Sequence, residues 1–158
     1  MAKPAVRATA LIVCAATLAL DAAGAPATGL ATDPSHVAAR TLRVTDTARM
    51  HRVNCSCDEI LEEGQAKGAV PGSVRAYVTV GAPIIFRFTI TQRGVGTLTG
   101  QGSGKPKGNP AEPSFSGSMT VTRGTGRYRH AHGTGGFYGT INRSTYAAVI
   151  QTTGTLSY

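Results

Sequence analysis

The chain is 158 residues long, with 16 Lys and Arg against 8 Asp and Glu, a formal net charge of +8, 20 glycines and no tryptophan. That length is one domain's worth and leaves no room for a second large core. The basic balance suggests attraction to anionic surfaces such as wall polymers, lipid headgroups or nucleic acid, without establishing a site for any of them.

The N-terminus reads MAKPAVRATALIVCAATLALDAAGAPATG. Lys3 and Arg7 form a positive start, Ala8 to Leu20 form an apolar run, and small residues follow at Ala23-Gly24-Ala25 and Ala25-Pro26-Ala27. This order is that of a secretory signal peptide, residues 1–27. The run is shorter than the roughly 20 residues that span a bilayer, which argues against an anchor. Cutting after Ala27 is favoured over Ala25, because Pro26 would follow the earlier bond. Cys14 does not make a lipoprotein site, since Val13 precedes it inside the apolar run. The expected location is secreted, extracellular or at the cell surface, with no later transmembrane segment. Cleavage removes Lys3, Arg7 and Asp21 and leaves a net charge of +7.

Residues 28–48 are rich in Ala, Thr and Asp without periodicity and read as a leader, which places the folded domain at 49–158. Cys55 and Cys57 follow in NCSCDE. An exported protein meets oxidising conditions, but a bridge two residues apart is strained, and two thiols with His51 nearby are too few for a structural zinc site. Free or irregularly paired thiols rank first, a contact to another chain second and a metal last. Asp58–Gly68, DEILEEGQAKG, fits a short helix or a strand; the β-rich sequence beyond it favours the strand. If this is a strand, Glu62 and Glu63 point to opposite faces.

From there β signals recur about every 8 to 12 residues. Ser73–Val80 alternates, with Val74, Ala76, Val78 and Val80 on one face and Arg75, Tyr77 and Thr79 on the other. Ile84–Thr91 is the most apolar strand, and Val95–Gly104, Ser114–Thr122, Gly133–Asn142 and Thr145–Tyr158 complete the series. Short strands without amphipathic helices predict an all-β antiparallel sandwich or barrel. Glycines inside the strands, at 96, 100, 117, 139 and 154, would supply bulges or curvature and favour a barrel.

The stretch GTGRYRHAHGTGG lacks the following helix that a dinucleotide loop needs, and GSGKP has Pro106 where a phosphate loop needs Ser or Thr. No nucleotide or other cofactor is expected. His130 and His132 would share a strand face and are weak metal candidates without a visible third ligand; no metal is expected. Arg123, Arg127, Arg129 and Arg143 would form an anion patch if gathered, but the aromatic residues nearby, Tyr128, Phe137 and Tyr138, are too sparse for a single-strand stacking platform. No specific nucleic acid is expected. Neither a nucleophile elbow nor a known Cys/His spacing appears, so whether the protein is an enzyme stays open. Asn54-Cys55-Ser56 and Asn142-Arg143-Ser144 match the glycosylation tripeptide.

Gly124-Thr125-Gly126-x-Tyr128-x-x-Ala131-x-Gly133 resembles the signature of dirigent proteins and allene oxide cyclase-like barrels, although Arg123 stands where that signature often has a further glycine. The wider run from about residue 49 to 158 is similar to secreted, mostly uncharacterised bacterial proteins, many of them actinobacterial. The resemblance implies an antiparallel barrel of about eight strands whose cavity holds a small, largely apolar molecule. It also implies that Gly124, Gly126 and Gly133 turn and close a sheet, with Tyr128 and Ala131 packed beside it. The acids, tyrosines and arginines of the plant cavities have no residue-by-residue match here, so their cyclase or isomerase chemistry does not carry over. The polar groups to weigh for a ligand are Glu62, Arg75, Tyr77 and Tyr138. The competing expectation is a non-catalytic surface or wall module that holds anionic polymer on a basic face. Edge strands would offer a route to homo-oligomers.

Overall fold

Alternation of inward and outward side chains carries through eight consecutive strands. In the computed structural model, the described residues are 40–56, 58–108 and 113–158. The expected signal peptide at 1–27, residues 28–39 of the expected leader and Cys57 lie outside them. The strands are β1 (Thr41–Cys55), β2 (Ile60–Gly68), β3 (Gly72–Thr79), β4 (Ile84–Gln92), β5 (Gly96–Lys107), β6 (Ser114–Gly124), β7 (His132–Ile141) and β8 (Ala147–Ser157). A 3₁₀ turn, Gly126–Tyr128, lies in the β6–β7 connection.

Each strand pairs antiparallel with the next, and β8 returns to β1 in register from Thr41↔Ser157 to His51↔Ala147, closing an eight-stranded barrel. A closed sheet has no edge. The edge-strand route to oligomers is therefore absent among the described residues. Asp58–Gly68 contributes a strand, and Glu62 and Glu63 do face opposite ways.

β1 starts at Thr41, inside the stretch taken for leader. Its inward positions are Val44, Asp46, Ala48, Met50 and Arg52, lining the barrel interior. Two of these five are charged and one is a small alanine, so the apolar half of the alternation is faint in the sequence.

The inward glycines have a different use from the curvature assigned to them. The rings of Phe88, Phe86 and Phe137 lie over Gly100, Gly102 and Gly104, and the ring of Phe115 lies over Gly139. The rings form a belt, with Phe86–Phe137 meeting edge-on at 5.0 Å between centroids and Phe115–Phe137 at 6.0 Å. Glycine gives each ring a flat floor, and the rings replace the side chains the glycines lack. Register shifts fall near Val53 on β1 and, between β5 and β6, at Thr99/Gly100 opposite Thr122, so Gly100 is the one of the five predicted glycines that adjoins a bulge.

The two ends of the barrel differ. One is formed by the β2–β3, β4–β5 and β6–β7 turns with the start of β1 and the end of β8. Val44, Val70, Leu98, Tyr128, Ala131 and Leu156 pack there into a plug. The 3₁₀ turn seats it. Gly126 has φ +59, a conformation glycine adopts without steric cost. The Arg127 N–H donates to the Val95 carbonyl at 2.9 Å, and the Tyr128 hydroxyl donates to Gln92 Oε1 at 2.7 Å. At Gly124 a side chain would collide with the Tyr128 backbone. The other end, formed by the β1–β2, β3–β4, β5–β6 and β7–β8 connections, is the mouth.

Candidate functional site

The barrel encloses a cavity of about 560 Å³ that runs from the plug to residues of the mouth such as Val80, Pro113 and Tyr146. That is within the range of roughly 300–1,000 Å³ usual for small-molecule sites. Its wall on β4 to β7 is the phenylalanine belt with Met119 and Val121; its wall on β3 and β8 is aliphatic, with Val74, Ala76, Ala148 and Ile150. Charge enters the lining at Asp46 and Arg52 on β1, Glu62 on β2 and Arg143 beyond β7.

Of these, Asp46 is committed to the fold. It is buried, and its carboxylate accepts the Val70 N–H at 3.1 Å across the β2–β3 turn. Burial pushes its pKa above the ordinary carboxylate value, against backbone hydrogen bonds from Val70 and Ala69 that favour the ionised form.

Glu62 has no such commitment. It is 7% exposed, lines the cavity and makes no side-chain hydrogen bond or ion pair with another described residue. Burial raises its pKa, with Arg52 and His51 pulling the other way. Arg52 is its register partner on β1. The Arg52 guanidinium lies 4.0 Å over the Tyr146 ring, and its buried Nε has no hydrogen-bond partner among the described residues. Tyr146 is held at φ 55 in the β7–β8 turn, where Asn142 Oδ1 accepts the Ser144 and Thr145 N–H groups at 2.9 and 3.0 Å. A tyrosine in this region is strained by about 1–3 kcal/mol, and the turn sets its ring at the mouth. The pair Glu62 and Arg52, with Tyr146 above, forms a polar clasp facing an aromatic wall. It can neutralise or hydrogen-bond one polar group of an otherwise apolar molecule.

The remaining sequence candidates lie elsewhere. Arg75 and Tyr77 are on the outer face of β3, because Val74, Ala76 and Val78 take the inner one. Arg75 pairs with the outward Glu63, its Nε donating to Oε1 at 2.7 Å. Tyr77 lines a shallow outer groove with Arg87, which pairs with Glu59 at 2.7 Å. Tyr138 is exposed on β7 between the inward Phe137 and Gly139. None of these three lines the cavity, so Glu62 is the one residue of the four in its wall.

His130 and His132 are exposed in and after the 3₁₀ connection rather than along one strand face, and the His132 Nδ1 is 3.1 Å from the His130 carbonyl. Tyr128 does not share their side; it is buried in the plug beside Ala131. Among the described residues no group of three or more His, Cys, Asp or Glu is placed to hold a metal. Cys55 is exposed. Arg143 is at the mouth, away from Arg123, Arg127 and Arg129 at the closed end.

Arg52, Tyr146 and the phenylalanine belt were not singled out from the sequence. Phase counting from Met50 would have placed Arg52 inward; nothing local marks Tyr146. No protein-family model matches the chain, and no curated protein or solved structure matches it.

Proposed function

We propose that this protein is an exported barrel that binds one small, largely apolar molecule carrying a single polar group, with the apolar body against the phenylalanine belt and the polar group at Glu62 and Arg52. The observation that carries this reading is the cavity of about 560 Å³ with an almost wholly apolar lining and an uncommitted carboxyl in its wall. A protein needing only stability would fill such a space, since interiors are ordinarily close-packed. The closed eight-stranded barrel and the Gly124–Gly133 signature together support membership of the allene oxide cyclase/dirigent-like superfamily. A buried carboxyl with a raised pKa is a suitable proton donor or acceptor, which makes cyclisation or isomerisation of the bound molecule the activity to look for once the ligand is known.

Native mass spectrometry of residues 28–158 purified from the host's medium tests the reading. The expected result is a reproducible added mass that solvent extraction removes. The emptied protein should then bind N-phenyl-1-naphthylamine saturably at one site, and a folded Val78→Trp variant should lose that binding. A bare mass under gentle conditions, together with no saturable probe binding, overturns it.

A further inference from the structure

The closed end of the barrel carries Arg40, Arg43, Lys67, Arg93, Arg123, Arg127 and Arg129, all exposed. Asp46, the acid nearest to them, is buried beneath the β2–β3 turn. No exposed acidic side chain sits among them in the described residues. Both ion pairs found there, Arg75–Glu63 and Arg87–Glu59, lie away from this end. The exposed Asp58 and the half-buried Glu59 are on the β1–β2 connection at the mouth. The molecule is electrically polar along its axis.

We propose that the closed end docks on a phosphodiester polymer of the kind that makes a cell wall anionic. Six of the seven cations are arginines, whose planar fork pairs two oxygens of a phosphate at once. They stand on the start of β1, the end of β2, the β4–β5 turn and the β6–β7 connection, so they ring the barrel's end. The β6–β7 group is held rigid, because the Tyr128 N–H donates to the Thr125 carbonyl and the Ala131 N–H to the Tyr128 carbonyl, at 3.0 and 2.9 Å. Binding there orders exposed side chains but requires no ordering of the backbone that presents them.

The surface's apolar residues argue for a polymer over a bilayer. Of the exposed large ones, Val53, Val80, Ile85 and Tyr146 belong to the mouth, and Tyr77, Tyr138 and Val149 lie on the mouth-side halves of β3, β7 and β8. A membrane-seated face needs apolar side chains among its cations, and none of those is at this end. Docking there leaves the mouth directed away from the polymer, open to its ligand.

The test is fluorescence anisotropy of end-labelled poly(glycerol phosphate), the simplest phosphodiester chain of this kind, with residues 28–158, between 50 and 200 mM NaCl. Engagement of four or five phosphates gives a slope of log K against log salt of about −3. The folded Arg123→Gln/Arg127→Gln/Arg129→Gln variant should bind at least tenfold more weakly, whereas Lys105→Gln/Lys107→Gln, at the mouth, should change affinity less than twofold. If the triple variant fails to fold, Arg40→Gln/Arg93→Gln serves in its place, with a loss of at least fivefold expected. Equal losses per charge at the two ends would overturn the proposal. So would binding to phosphatidylglycerol vesicles without binding to poly(glycerol phosphate), or tighter binding to an oligothymidylate than to a poly(glycerol phosphate) of the same phosphate number. None of these outcomes depends on whether the cavity is filled.

Discussion

Glu62 holds a carboxyl where water is scarce, and removing its charge should stabilise the fold. Its pKa in the folded chain lies above the ordinary 4.5. The protonated form is therefore the one folding favours: that contribution is complete below about pH 4.5 and is lost as pH rises through the raised value. Glu62→Gln should melt at a higher temperature than the natural chain at pH 7, with the gap narrowing as pH falls toward 4. Thermal melts between pH 3.5 and 8 check this, and a gap that widens toward acid would mean that Arg52 outweighs burial. A second residue-scale test concerns Gly102, where an added methyl would fall on the Phe86 ring and the Ser118 carbonyl. Overpacking of this kind costs about 1–3 kcal/mol, so Gly102→Ala should lower the urea midpoint without changing the slope of the transition. The inward position of Glu62 follows from the strand phase shared with Ile60 and Ala66. The same phase rule excludes Arg75 and Tyr77, because they alternate with the valines of β3, and only the choice of which face is inner was left open by the sequence.

The β6–β7 connection is an element whose glycine signature describes a plug rather than a binding loop. Gly126 supplies the positive φ, Gly124 allows the Tyr128 backbone to come close, and Tyr128 reaches across to Gln92 on β4. Losing that hydroxyl removes one hydrogen bond and leaves the Gln92 carbonyl oxygen short of a partner, so Tyr128→Phe should lose about 1 kcal/mol. Gly126→Ala should lose more, because it combines a disfavoured φ with a clash against the Val95 carbonyl. Urea titrations of the two variants check both the losses and their order. β1 shows why one element escaped the sequence. A strand that offers Asp46, Ala48 and Arg52 to the interior does not show a valine-rich face, and its partner β8 presents Thr152 and Gly154 there. The count of eight came from the resemblance, and the other seven strands were legible because turn residues recur. The start of β1 was not, because its interior positions serve a turn and a cavity instead of a solid core.

At the scale of the molecule, closure is the property on which everything else depends. β8 is hydrogen-bonded to β7 on one side and to β1 on the other, so the seam joins residues more than a hundred positions apart, Thr41 with Ser157. Loop closure over such a span is slow relative to local hairpins. β1 must also wait for the last strand before its second edge is covered. Without β8, the β1 and β7 edges would face solvent, and the phenylalanine belt and the aliphatic wall would open to water. An interior that is partly cavity has little packing to spare against that exposure. A chain ending at Ser144 should therefore lack a cooperative thermal transition, bind 1-anilinonaphthalene-8-sulfonate without saturation and associate through its open edges. Calorimetry and light scattering beside the full barrel measure this. A truncated chain that still melts cooperatively as a monomer would show that β1 to β7 form a self-sufficient open sheet, and that closure shapes the cavity without holding the fold.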